Sequence, residues 1–129
     1  MLLIGTGTGL APLYGIVRDA LRSGHRGPNH LFHGAVRPAG LYLNNELKAM
    51  AAAHANFTYT PSVLEGDKPG TFEIGPIDRI VTDRFPKLGG WRCFVCGDPT
   101  MVLLSKKKLF LAGIAMRDIH ADAFLPSAP

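Results

Sequence analysis

Three glycines alternate with two threonines near the amino terminus, in the run Gly5-Thr6-Gly7-Thr8-Gly9. A glycine-rich turn between a strand and the following helix points backbone N–H groups and the positive helix end toward one spot, where an anion can bind. The run does not complete the pattern G-x-G-x-x-G, because Leu10 stands where the last glycine is required, and no Gly-Lys-Ser/Thr follows as in a P-loop. The pattern favours a phosphate site; a tight turn that only closes the strand onto the helix stays open as the alternative.

Two cysteines with C-x-x-C spacing, Cys93 and Cys96, raise the question of redox or metal chemistry. They fall in an apolar run that is typical of a buried strand, and successive side chains of a strand alternate between the two faces of the sheet. Residues three apart therefore point to opposite sides, which is poor geometry for a disulfide or a shared metal. The spacing predicts two separate thiols, and a buried strand-end thiol is the plain interpretation of Cys96.

The whole chain has the composition of one globular domain covering residues 1–129, with 47% hydrophobic and 19% charged residues. The net charge of +4 comes from scattered basic residues, which favours an anionic ligand and does not indicate nucleic acid. The run Lys106-Lys107-Lys108 is predicted to be a solvated helix face. Five histidines are too dispersed to predict a metal site. No apolar stretch approaches the roughly 20 residues that span a membrane, and no signal peptide is evident, so we expect no membrane partner and a cytoplasmic location.

Short apolar runs alternate with stretches of helical periodicity along the chain, which is the pattern of a parallel sheet covered by helices on both faces. Asp98-Pro99 is a strong helix start, with Asp98 able to cap and Pro99 at the first position. We predict an α/β fold with three layers: a doubly wound, five-stranded parallel sheet in the order 3-2-1-4-5. The predicted strands are 1–4, 30–36, 57–63, 92–96 and 116–124, and the predicted helices are 12–22, 41–54, 76–85 and 99–112.

Several motifs together give the chain a resemblance to a known family. The loop Gly7-Thr-Gly-Leu-Ala-Pro12 resembles the G-T-G-x-A-P loop of the ferredoxin–NADP reductase family, and Cys96-Gly-Asp-Pro-Thr-Met101 resembles that family's C-G-x-P-x-M signature. Weaker similarities lie between and after them, at residues 32–34, 41–47, 70–77 and 122–124. The resemblance covers the whole chain and implies a Rossmann-like domain that binds NAD(P).

The resemblance also implies roles for individual residues. The residues that would shape the approach of the pyrophosphate and the nicotinamide are Gly7, Thr8, Gly9, Leu10 and Pro12. Cys96 and Gly97 would lie beside the reactive carbon of the nicotinamide, with Met101 as a wall and Asp98 and Pro99 in the same signature. Asp122 and Phe124 would face a flavin. Cys96 and Asp122 are thus the candidate catalytic residues.

Two positions depart from the pattern of NADP-using members. Many of them place an arginine soon after the glycine of the second strand, here Gly34, to pair with the 2′-phosphate. In this chain Val36 occupies that position and Arg37 comes one step late, and Ser62 is followed by Val63 where such members have Ser-Arg. A 2′-phosphate usually needs a charged fork of this kind, so NADH is favoured over NADPH.

By the same resemblance, hydride from the nicotinamide would pass to FAD held by a separate β-barrel domain that these residues do not include. Electrons would then reach an iron–sulfur centre or protein acceptor, and the isolated chain is expected to be inactive. Removal of the partner domain would leave apolar surface exposed, which predicts a homodimer or an aggregation-prone monomer. A non-catalytic dinucleotide sensor or a remnant domain remains the alternative, and a flavodoxin-like or response-regulator-like module has less support.

Overall fold

The computed structural model describes residues 1–66 and 71–123. Six strands alternate with four helices. The strands are β1 (Leu2–Thr6), β2 (Asn29–Ala35), β3 (Phe57–Val63), β4 (Glu73–Ile74), β5 (Cys93–Gly97) and β6 (Ile119–Ala123). The helices are α1 (Leu10–Arg22), α2 (Asn44–Ala53), α3 (Ile77–Arg84) and α4 (Pro99–Leu111), and three short 3-10 turns cover Gly7–Gly9, Pro38–Gly40 and Met116–Asp118.

All strand pairings are parallel, and the sheet order is β4-β3-β2-β1-β5-β6. The predicted order of five strands is confirmed, with one further strand at the edge. That strand, β4, has only two residues, both exposed, so no apolar alternation could reveal it. Because the chain runs from β1 outward to β4 and then returns to β5 on the other side of β1, the order reverses beside the carboxyl end of β1.

Two apolar cores lie on opposite faces of the sheet. One joins side chains of β1 and β5, such as Ile4 and Val95, to α3 and α4. The other joins Leu3 of β1 and Leu31 of β2 to α1 and α2. The three-layer architecture is thereby confirmed.

The two cysteines divide between these cores, as the alternation of strand side chains predicts. Cys93 belongs to the core under α3 and α4, and Cys96 to the core under α1 and α2. Both thiols are free.

Two element boundaries differ from the predicted ones by three residues, and most of the others differ by one or two. Helix α2 begins at Asn44 rather than near residue 41, because a 3-10 turn precedes it and Leu43 takes a left-handed conformation with φ 59°. The last strand begins at Ile119 rather than Met116, since Met116–Asp118 form a 3-10 turn. In the run 106–108, predicted to be a solvated helix face, Lys108 also forms an ion pair: its Nζ lies 2.6 Å from the Asp78 carboxylate of α3.

Candidate functional site

A cleft of about 840 Å³ opens at the carboxyl end of the parallel strands, where the strand order reverses. Segments far apart in the chain meet there because they all follow the carboxyl ends of neighbouring strands. Eight of the sequence-predicted site residues line the cleft: Gly7, Thr8, Gly34, Arg37, Ser62, Gly97, Asp98 and Met101.

The glycine run forms one wall of the cleft through its main chain. Gly7 has φ +54°, a conformation that L side chains rarely adopt. A Cβ on Gly9 would collide with the Cys96 carbonyl, so the turn packs directly against the end of β5. Helix α1 begins at Leu10, directly after this turn, and no side chain caps its amino terminus.

The second loop of this wall follows β5 and is tied to the first through Thr6. The Asp98 backbone N–H donates to Thr6 Oγ1 over 3.1 Å. Gly97 has φ +137°, and a Cβ there would collide with Thr6 as well. Asp98 Oδ2 accepts a 3.0 Å hydrogen bond from the Met101 N–H, which confirms the predicted helix cap. Thr6, Gly7, Thr8, Gly97 and Asp98 are called the loop wall below.

Thr6 was considered as a hydroxyl donor to a bound anion, but its contact with the loop after β5 was not predicted. It stands at the end of the first strand inside the glycine run, but its partner is 92 positions away in the chain. The sequence showed only that Thr6 stands between a strand and a turn. Local spacing does not indicate that its hydroxyl joins the two loops.

Tyr42 was also missed, and it connects the segment before α2 to the glycine run. Its hydroxyl donates to the Gly7 carbonyl over 2.6 Å. Its ring packs edge-on against His33 of β2, with centroids 5.7 Å apart. The carbonyl of Gly7 is thus held from outside the loop, which fixes the orientation of the peptide that follows it.

His33 is fully buried beneath this segment. Its Nδ1 is 3.0 Å from the Tyr59 hydroxyl, which in turn donates to Asn44 Oδ1 over 3.1 Å. Desolvation lowers the pKa of His33 from 6.5 to about 4, so the ring is neutral near pH 7. Desolvation also raises the pKa of Tyr59. These groups form a neutral polar scaffold under the cleft.

The opposite end of the cleft is made of side chains that follow β2 and β3; it is called the rim and consists of Val36, Arg37, Leu64 and Glu65. Val36 and Leu64 are 56% and 53% exposed and line the cleft. Arg37 Nε lies 3.2 Å from Glu65 Oε2 in an exposed ion pair. Exposed apolar side chains beside a charged pair suit a flat heterocycle joined to a ribose.

Several sequence-predicted residues lie next to the cleft without lining it. Leu10 is fully buried in the core, and the backbone N–H groups at the end of the 3-10 turn that it caps donate to the Gly7 and Thr8 carbonyls. Gly9 is buried, Pro12 is exposed on α1, and Pro99 occupies the first turn of α4. Gly70 and Phe124 lie outside the described residues.

The two candidate catalytic residues are neighbours on adjacent strands. Cys96 pairs in register with Asp122 of β6. The Cys96 side chain is 8% exposed and packs in the core under α1, and burial first, then the Asp122 carboxylate, raises the pKa of its thiol. The thiol is therefore protonated near neutral pH, and its main chain, rather than its sulfur, meets the glycine run.

The residues present fit a dinucleotide. At the loop wall, nothing lies within 4 Å of where a Cβ on Gly7 would stand, so an anion can come close to the backbone there. Gly9 and Gly97 let the two loops pack directly against each other. The cleft runs from this wall to an apolar rim, which matches the order of pyrophosphate and adenosine in such a ligand. In the described part of the chain, no three His, Cys, Asp or Glu residues are grouped so as to hold a metal ion. The described helices also include none with the length and hydropathy that crossing a membrane requires.

Comparisons with known proteins agree with this geometry. The family model described as the oxidoreductase NAD-binding domain matches residues 3–107. The ferredoxin–NAD(P)(+) reductase component of the naphthalene 1,2-dioxygenase/salicylate 5-hydroxylase systems of Ralstonia is 39% identical over 127 residues, which are 98% of this chain and 39% of the relative. The corresponding naphthalene 1,2-dioxygenase reductase component of Pseudomonas putida is 36% identical over 98% of this chain and 38% of the relative.

Among solved structures, the Amycolatopsis reductase GcoB superposes with a TM-score of 0.91 at 33% identity, over 98% of this chain and 38% of that chain. The chain thus spans less than half the length of each of these proteins.

Proposed function

The chain belongs to the oxidoreductase NAD-binding domain family, of the ferredoxin–NADP reductase type, and on that premise we propose that its cleft binds NADH for a flavin-dependent reductase component. The observation that carries the proposal is the loop wall at the carboxyl end of β1 and β5, where Gly7 lines the cleft with φ +54° and has nothing within 4 Å of where a Cβ would stand. Gly7, Thr8 and Gly9 would hold the pyrophosphate at the amino-terminal end of α1, which begins at Leu10.

The nicotinamide would lie toward the β5 side of the cleft. Gly97 and Met101 line that side, and Asp98 fixes the start of α4 behind them. Pro12 and Pro99 set the first turns of the two helices that flank the site. Cys96 would act through its main chain at this point, and Asp122 and Phe124 would face the flavin.

FAD, held by another part of the protein, would supply the conversion between two-electron transfer from the nicotinamide and one-electron transfer to an acceptor. The relatives named above are reductase components of oxygenase systems. An iron–sulfur centre or iron–sulfur protein is accordingly the acceptor that we propose. The residues of this chain contribute binding and orientation of the dinucleotide, and turnover needs the flavin part.

The preference for NADH over NADPH rests on the rim. Among the described residues that line the cleft, Arg37 is the one basic side chain, and it already pairs with Glu65. Ser62 is 1% exposed, and its hydroxyl donates to the His33 carbonyl over 3.5 Å. A 2′-phosphate would meet a cation whose charge is offset by its neighbour.

Calorimetric titration of the chain with NADH and ADP tests the proposal. Thr8 is exposed on the loop wall, so Thr8→Glu should leave the fold intact and place a carboxylate beside the pyrophosphate. We expect at least about tenfold weaker binding of both ligands, because like charges a few ångströms apart repel. The isosteric Thr8→Gln serves as the matched control and should bind nearly as well as the wild type. Equal binding by both variants, or no binding by the wild type, would contradict the proposed function.

A non-catalytic dinucleotide sensor is the alternative function, and it would use the same cleft. A sensor would bind NADH yet never reduce a flavin domain supplied in trans. Stopped-flow absorbance of flavin reduction, with the flavin portion of the same protein, separates the two functions.

Self-association is a further proposal. Leu103, Phe110 and Leu111 on the outer side of α4 are 69%, 52% and 74% exposed, which is a large apolar surface for one helix. Sedimentation at several concentrations measures it, and a monomer throughout the range would count against it.

A further inference from the structure

We propose that Glu65 determines the dinucleotide preference of this site by occupying Arg37, so that the rim accepts a 2′-hydroxyl and disfavours a 2′-phosphate. The inference rests on the proposed function and adds to it a residue that the sequence pattern did not single out. Its basis is the ion pair between Arg37 Nε and Glu65 Oε2, which are 3.2 Å apart although 28 positions separate the residues.

The main chain fixes the position of Glu65. Parallel pairing between β2 and β3 ends at Ala35 and Val63 in the register of the sheet. Two hydrogen bonds continue it: the Leu64 N–H donates to Ala35 O over 3.1 Å, and the Glu65 N–H donates to Val36 O over 2.8 Å. The carboxylate therefore stands beside Arg37 because the backbone continues the ladder.

The other charged residues of the cleft lining leave the ion pair of Arg37 and Glu65 to set how the rim interacts with a 2′-phosphate. Arg37 is the one basic residue among the described residues that line the cleft. The two acidic residues of the lining are engaged elsewhere, Asp78 by Lys108 at 2.6 Å and Asp98 by the Met101 N–H at 3.0 Å. The electrostatic response of the rim to a second phosphate is thus set by Arg37 and by whatever accompanies it.

A free Arg37 would attract the 2′-phosphate of NADPH, and a paired Arg37 attracts it less. Glu65 offsets the charge of the guanidinium, holds its Nε edge, and adds a carboxylate that repels a dianion. A ribose hydroxyl, in contrast, can donate to a carboxylate and accept from a guanidinium. The same pair therefore favours the ligand without the phosphate.

The test compares NADH with NADPH by calorimetric titration of the full chain and of Glu65→Gln. We expect the ratio of the two dissociation constants to shift toward NADPH by about tenfold at low salt, and less as salt is raised. Glu73→Gln is the matched control: it removes another exposed carboxylate paired with an arginine, at 3.0 Å, but that arginine, Arg84, does not line the cleft whereas Arg37 does. It should leave the ratio unchanged.

A double variant, Glu65→Gln with Arg37→Gln, separates an effect of the pair from a change of net charge. If Glu65 acts through Arg37, the gain for NADPH disappears in the double variant. An unchanged ratio in Glu65→Gln, with NADH still bound, would overturn this inference and leave the proposed function standing. Loss of binding of both nucleotides in the wild type would overturn the proposed function and the inference with it.

Discussion

The two ends of the cleft differ in the groups that form them, which are main-chain groups at one end and side chains at the other. The loop wall is made of main chain, with Gly97 at φ +137° and no room for a Cβ at Gly9 or Gly97. The rim is made of side chains that are largely exposed, with Val36 at 56% and Leu64 at 53%. The difference separates what the site binds from how it discriminates. Main chain can bind any dinucleotide phosphate, whereas exposed side chains can change preference at little cost to the fold.

The largest expected effect comes from Gly97→Ala. The substitution adds a Cβ against Thr6 and forces an L residue into a conformation that it rarely adopts. We expect the free energy of unfolding to fall by roughly 3 kcal/mol, measured by denaturant unfolding. Val36→Ala at the rim is the control and should change stability by less than about 1 kcal/mol. Similar losses in the free energy of unfolding for the two variants would contradict the distinction between the loop wall and the rim.

The lowered pKa of His33 predicts that the folded chain loses stability as the pH falls. Its pKa is lowered to about 4 in the folded chain and is 6.5 when unfolded. Between these values the unfolded state binds a proton that the folded state does not. The His33 contribution is therefore fully present above pH 6.5 and is lost as the pH falls toward 4, by up to about 1.4 kcal/mol per pH unit.

Urea unfolding between pH 4 and 7 measures this slope in the wild type and in His33→Phe, which cannot titrate. The variant should show a shallower dependence. The free energy of unfolding of the variant should still depend on pH to some extent, because His30 also has a lowered pKa. The causes of that lowered pKa are burial first and then the amino terminus and Arg84. Equal slopes in the two proteins would show that His33 does not carry the effect.

The smallest expected effect tests the link from Tyr42 to the loop wall. Tyr42→Phe removes the 2.6 Å hydrogen bond to the Gly7 carbonyl and leaves the ring against His33. Because the carbonyl can bond to water instead, we expect a loss of about 1 kcal/mol or less in NADH binding, measured by calorimetry. A loss as large as that in Thr8→Glu would mean that the loop depends on Tyr42 more than on its own backbone.

The sequence predicted the parts of this molecule that depend on local pattern. The apolar run 57–63 has the bounds of β3, the cap at Asp98 is present, and the opposite orientation of Cys93 and Cys96 follows from strand alternation. Motif order placed the glycine run and residues 96–101 at one site, and eight of the predicted site residues line one cleft; the roles of these residues stay predictions.

The missed features depend on contacts between distant segments. Tyr42 reaches Gly7 across 35 positions and Arg37 reaches Glu65 across 28, and neither pair leaves a periodic signal. The start of α2 was placed too early because Leu43 takes a left-handed conformation that is uncommon for a leucine. The edge strand β4 escaped because two exposed residues carry no apolar alternation.

Cys93 and Cys96 lie on opposite faces of the sheet, and this separation determines when a disulfide between them can form. In the native state the two sulfurs face different cores, so oxidation cannot join them without dismantling β5. In the unfolded chain no sheet stands between them, and C-x-x-C spacing closes easily. A disulfide formed before folding would hold the central strand in a shape that cannot enter the sheet. Folding therefore keeps the two thiols apart, and a disulfide between them can form only before β5 enters the sheet.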